Sequence, residues 1–276
     1  MGHHTKEKEK QKQLDDAPPP YSSSGPPPPL PQQVSAAPPA PTQRLFPTSF
    51  SMYRESSWTQ RSYMIGEHQA TPLYAVTLHS GWSGQPDLVL HNGPNEKCPP
   101  LAGLARSVLG TSATITVRPV PGSGLPPAEE KMEYNGGFGP ASYMFTIEVG
   151  VGGVARRESF EWRHSSGGAV KGLDAKGSGW KLVRLETGPP PGMGQGASFV
   201  GGGVKASDGK EVVAVWAWAS ASLTKNLKFK FIGTGASGVL GERWAIMAVA
   251  SALRIWDRER RQRNQAAANA AGGGGA

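Results

Sequence analysis

Pro18-Pro19-Pro20-Tyr21 is a short run whose residue types and spacing spell a defined binding chemistry. It matches the P-P-x-Y pattern that WW domains read. A polyproline II segment is already extended, so little entropy is lost when Pro18 and Pro19 dock on an aromatic groove. Tyr21 supplies the specific side chain, and Asp15-Asp16 just upstream adds electrostatic steering. Residues 26–31 form a second, less specific polyproline run for SH3-like or profilin-like partners. The plainer reading is a Pro-rich arm that keeps a neighbouring domain soluble and spaced.

Groups able to catalyse do not assemble. Glu158 and Glu161 sit at odd spacing on one strand pattern, hence on opposite faces, where they cannot act as paired acid and base. His79, His91 and His164 could converge in space, but no i,i+2 or H-x-x-x-H pair marks a metal site. Cys98 precedes Pro99-Pro100 in a turn with no histidine at catalytic spacing, and a nucleophilic thiol needs an activating partner. As the single cysteine it excludes an internal disulfide framework and fits a reducing compartment. "GTGASG" has neither the spacing of a G-x-S-x-G elbow nor the Lys-Ser/Thr that ends a phosphate loop. A non-enzymatic chain without cofactor or metal is the expectation.

Charge points to an acidic partner. The chain carries a formal net charge of +8, which suits anionic lipid or nucleic acid. Near the C-terminus, Arg254, Arg258, Arg260, Arg261 and Arg263 stand against Asp257 and Glu259. Lys225, Lys228 and Lys230 fall on the wet face of a strand pattern, and Arg156-Arg157 on a Gly-rich loop. These five are candidates for lipid headgroups; ordinary solvated charges that blunt sheet edges are the competing reading. Nucleic acid is the weaker partner, because Trp244 falls in an apolar helix and Trp216 and Trp218 share a face of an apolar strand, where they read as core.

The elements that must carry these residues begin after a long arm. Residues 17–47 hold 12 of the 25 prolines, and nothing up to about residue 57 has apolar periodicity, so it cannot bury enough surface to offset chain entropy. The division expected is a disordered arm over 1–45, a folded domain over 46–263 and a disordered Ala/Gly tail over 264–276. Strands are read in "RSYMIG", "PLYAVTLH", "DLVLH", "SATITVRP", "YMFTIEV", "ESFEWRH", "GWKLVRLE", "EVVAVWAWA" and "LKFKFIG". In the last, Leu227, Phe229 and Phe231 oppose Lys228 and Lys230, the pattern of an antiparallel sheet with one wet face. Asp208-Gly209 suits a two-residue type I′ turn.

One helix follows, over about 240–262. Its uninterrupted apolar run is about half the ~20 residues a membrane span needs. Ala245, Ile246, Met247, Ala248 and Val249 are consecutive, so every face is apolar and the helix must be surrounded by protein. The fold class expected is mainly β: a closed antiparallel barrel of about 10–12 strands around a central C-terminal hydrophobic helix.

That arrangement resembles the tubby C-terminal-like superfold, which takes in tubby proteins, phospholipid scramblases and LURP-one-related proteins. More narrowly, "ATPLYAVTLHSGWSGQPDLVLHNGP", "FEWRHSSG", "GWKLVRLE" and "FIGTGASGVLGERWAIMAVASALRIWDRERR" are similar to uncharacterised fungal proteins with this fold. The resemblance covers roughly residues 45–263, and a Pro-rich arm with P-P-x-Y is similar to scramblase organisation. The cysteine-rich stretch of scramblases and a D-x-D-x-D calcium loop are absent from this sequence. The resemblance implies a phosphoinositide or membrane-surface binding module. The alternatives are an adaptor linking a client to a WW-domain ubiquitin ligase, and scramblase-like lipid transfer. "MGHHTKEKEKQKQLDD" is polar and opens no signal peptide, so a cytoplasmic protein, peripheral at a membrane, is expected.

Overall fold

The computed structural model describes residues 44–55, 61–80, 83–107, 112–119, 126–137, 139–150, 153–173, 177–191, 204–220 and 222–272. The P-P-x-Y residues Pro18, Pro19 and Tyr21 lie outside the described residues. Twelve strands form one closed barrel. They are β1 Ser49–Arg54, β2 Ser62–Gly66, β3 Tyr74–Leu78, β4 Leu88–His91, β5 Pro100–Arg106 and β6 Ser112–Val117, then β7 Ala128–Asn135, β8 Ser142–Val149, β9 Arg156–Ser165, β10 Gly179–Arg184, β11 Val212–Trp218 and β12 Lys225–Phe231. Each pairs with its sequence neighbours, and β1 closes antiparallel on β12. Closure removes the unpaired edges that an open sheet exposes.

All nine strands read by alternation are present. Tyr74, Val76 and Leu78 face the core from β3, and Leu227, Phe229 and Phe231 from β12. Three strands escape sequence reading for identifiable reasons. β1 carries only Phe50 and Met52 inward, just after the proline-rich arm. β5 has Gly103 at its centre, where an added Cβ would lie 3.1 Å from Pro86 Cγ. β7, "AEEKMEYN", is mostly charged. Its ladder to β8 spans only Glu133–Asn135 against Ser142–Met144, and beyond it side chains bridge the two strands' surroundings. Arg157 on β9 grips Glu130 on β7 with two bonds of 2.8 and 2.7 Å.

Among the described residues three helices accompany the strands: α1 Gly168–Lys171, α2 Gly233–Ser237 and α3 Glu242–Gly272. In α3, Trp244 and the twelve consecutive residues Ile246–Asp257 are buried. Over three turns no direction around the axis is left to solvent. Trp244 packs on Phe160 of β9 and Phe231 of β12, at ring separations of 5.8 and 5.7 Å. Trp256, three turns on, packs on Tyr63 of β2 and Trp218 of β11, at 4.9 and 6.0 Å. The helix also meets β5, β6 and β8. It is the core of the barrel.

The end where α3 comes in is the floor, and the end where it leaves is the mouth. At the floor the close approach needs glycine: a Cβ on Gly235 would lie 2.2 Å from Val213 O, and one on Gly241, at φ +88°, 2.4 Å from Gly150 O. Buried Arg184 on β10 bonds both oxygens of buried Glu158 on β9, at 2.6 and 2.8 Å, and gives a third bond to Gly188 O. Outside the wall a smaller core of Val170, Leu173, Val183, Val212 and Val215 seats α1 against β10 and β11.

Two local expectations need correction. The helix does not stop near 262 with a disordered tail from 264; α3 continues to Gly272. Asn264–Gly272 is mostly alanine, the strongest helix former, and a helix already nucleated inside the barrel extends through it without a new nucleus. Asp208-Gly209 is not a two-residue turn. Gly209 N bonds Ala206 O and Ala206 N bonds Lys210 O, so the loop holds three residues, with Gly209 at φ +79° as the left-handed third.

Candidate functional site

The barrel mouth gathers charge around the emerging helix. Asp257, 2% exposed, accepts from Arg260 Nη2 and Arg261 Nε, both at 2.8 Å. Glu259 is held instead by neutral donors: Trp180 Nε1 gives it a bond of 2.8 Å and Trp218 Nε1 a second. The two indoles come from β10 and β11, so this carboxylate fixes the helix to one side of the rim. Arg258 stacks on Tyr134 of β7 at 3.9 Å and Arg263 on Trp218 at 4.1 Å. Among the described residues, neither arginine has a carboxylate at ion-pair distance. Arg254 is buried, and burial pushes its guanidinium below the usual value, with Asp257 opposing. Burial likewise raises the Tyr143 hydroxyl to about 12.

A polar hollow of about 260 Å³ opens here, lined by His164, Ser178, Trp180, Trp218, Glu259 and Arg263. The rim adds strand-end cations. Arg54 closes β1, and Arg106, the last residue of β5, makes bonds of 3.0 and 2.7 Å to Asp87. Burial raises the Asp87 carboxyl, but the hydrogen bonds from Arg106 outweigh it and hold the group below its usual range. Lys225 opens β12 with its ammonium 5.7 Å from the Tyr53 ring.

The five headgroup candidates read from sequence do not form one patch. Arg156 and Arg157 begin β9, while Lys225, Lys228 and Lys230 lie on β12, with β10 and β11 between. Arg157 is paired with Glu130, and a cation already matched by a carboxylate has less to offer an anion. Arg156 reaches Glu158 at 2.5 Å, but buried Arg184 holds the same carboxylate, so the two arginines on Glu158 keep one positive charge in excess. Lys230 is exposed on the outer wall, and Lys225 alone reaches the mouth. Trp216 and Trp244 are buried as expected, and Trp218 takes part in the rim. The sequence shows the arginines of α3, but not Tyr134, Trp180 and Trp218 beneath them.

A second hollow, about 650 Å³, lies on the outer wall between β3 and β6. Thr77 Oγ1 stands 3.2 Å from His79 Nε2 and 3.0 Å from His91 Nε2. His91 Nδ1 donates to Cys98 O at 3.0 Å, so in neutral His91 the Nε2 accepts from the Thr77 hydroxyl. That hydroxyl then accepts from His79. The imidazoles are thus occupied with one another, and Glu96 accompanies Lys97 and Arg118 along the lining. Among the described residues no three His, Cys, Asp or Glu side chains group as a metal site, and no helix is long and apolar enough to cross a membrane.

No known family model, curated protein or solved structure matches the chain.

Proposed function

We propose that the chain is a non-enzymatic module that binds an anionic membrane surface, phosphoinositide-bearing surfaces included, through the mouth of its barrel. The observation that carries this is the pair Arg258 and Arg263. Both are stacked on rim aromatics, and neither has a carboxylate partner among the described residues. Stacking holds each guanidinium plane in place while its edge donors stay available to phosphate oxygens. The sequence resemblance to tubby-like proteins, which implies membrane-surface binding, favours the same reading.

Co-sedimentation with vesicles tests it. The full chain is expected to bind phosphatidylserine-containing vesicles, to ignore phosphatidylcholine vesicles and to be released by salt. A surface cation contributes about 1 kcal/mol near such a membrane, so Arg258→Ala with Arg263→Ala weakens binding by roughly thirtyfold. Equal binding to both vesicle types would contradict it.

The arm adds a second reading, an adaptor recruited by WW-domain proteins, which Pro18, Pro19 and Tyr21 favour by their spacing. Both readings can hold in one chain. A Tyr21→Ala arm peptide is expected to lose WW binding; unchanged affinity removes the adaptor reading.

A further inference from the structure

Leu223 is the most exposed large apolar side chain among the described residues, at 99%. A single exposed leucine is ordinary on a protein surface; its surroundings are what distinguish it. It sits at the tip of the β11–β12 hairpin, and β11 ends there at Trp218, the residue under Arg263, so the tip belongs to the mouth. Lys225 follows two residues later. Arg54 N donates to Thr224 O at 2.8 Å, which brings the end of β1 beside the tip. Two cations, Arg54 and Lys225, thus flank one apolar point along the backbone, Arg263 stands over Trp218 at the base of the hairpin, and Glu55 is the neighbouring carboxylate.

We infer that the β11–β12 hairpin is a membrane-inserting tip. Leu223 enters the headgroup–acyl boundary of an anionic bilayer, while Arg54, Lys225 and Arg263 stay at phosphate depth. Burying an apolar side chain beside cations that meet anionic lipid is the physics of interfacial anchoring. A flat end-on approach is blocked, because α3 runs past Asp257 to Gly272, roughly 20 Å at 1.5 Å per residue. The barrel therefore tilts towards the side of β11, where Arg263 and the hairpin meet the bilayer together. This rests on the mouth being an anionic-surface binder, and it adds which part enters the lipid.

The test uses the full chain with an environment-sensitive nitrobenzoxadiazole label on Leu223→Cys in a Cys98→Ser background. On phosphatidylserine-containing vesicles the emission shifts to the blue and is quenched by nitroxides on the acyl chain. The same label on Val154→Cys, exposed near the floor, stays aqueous. Leu223→Asp weakens vesicle binding by roughly tenfold with an unchanged melting temperature. If the chain binds but the label at 223 stays aqueous, or Leu223→Asp binds like the native protein, insertion is overturned and binding by charge stands. If the chain binds no anionic vesicle, both readings fall.

Discussion

Ser251 is the one polar residue between Trp244 and Leu253, and the structure explains it. Its hydroxyl accepts from Trp162 Nε1 at 2.9 Å and donates to Ala248 O at 3.1 Å. A buried indole N–H that loses its acceptor costs about 1–3 kcal/mol. Ser251→Ala should therefore lower the unfolding free energy by that amount in urea titration, and a loss near zero would mean that the Trp162 bond does not stabilise the barrel. The sequence shows Ser251 as a lone interruption in grease, but its partner is 89 residues away, beyond any local pattern. Arg156 and Arg157 teach the same lesson. Two adjacent arginines on a Gly-rich stretch read as available charge, yet Glu130 matches Arg157 and Arg156 shares Glu158 with Arg184, and the Glu130 pairing exists only because β7 and β9 flank β8 in the barrel.

Among the strands and helices, legibility follows burial pattern. β12 alternates Leu227, Phe229 and Phe231 against lysines, and its inner face is plain from sequence. β7 offers a single fully apolar inward residue, Met132, among charges, so no periodicity announces it. α3 is legible in its buried half, because a run apolar on every side admits only a surrounded helix. Its end is not, since residues from Gln262 onward are exposed and helix propensity alone sets where they stop. The two halves should respond differently to change. Met247 is fully buried, so Met247→Ala is expected to cost about 2–5 kcal/mol. Deleting residues 265–276 should leave the melting temperature where it was. If the deletion destabilises the protein as much as the core substitution, the outer turns of α3 help to hold the barrel together.

The barrel as a body carries its ring-stacked arginines, Arg258 and Arg263, at one end. Closure leaves no sheet edge for a partner strand to add to, so interaction falls to the two ends and the outer wall. The wall over β10 and β11 is covered by α1 and its small core, and the floor is stitched by Arg184, Glu158, Glu211 and Thr234. The mouth differs: Arg258 and Arg263 lean on aromatic rings, and its hairpin carries an exposed leucine, Leu223. Hydrogen–deuterium exchange of the full chain, with and without phosphatidylserine-containing vesicles, asks directly which surface the membrane covers. Protection is predicted over residues 219–226 and in the turn of α3 that carries Arg258 to Arg263, with α1 and the 204–210 loop unchanged. Vesicle-bound protein that gains protection on the β10–β11 wall or at the floor, and none at the mouth, would contradict the account.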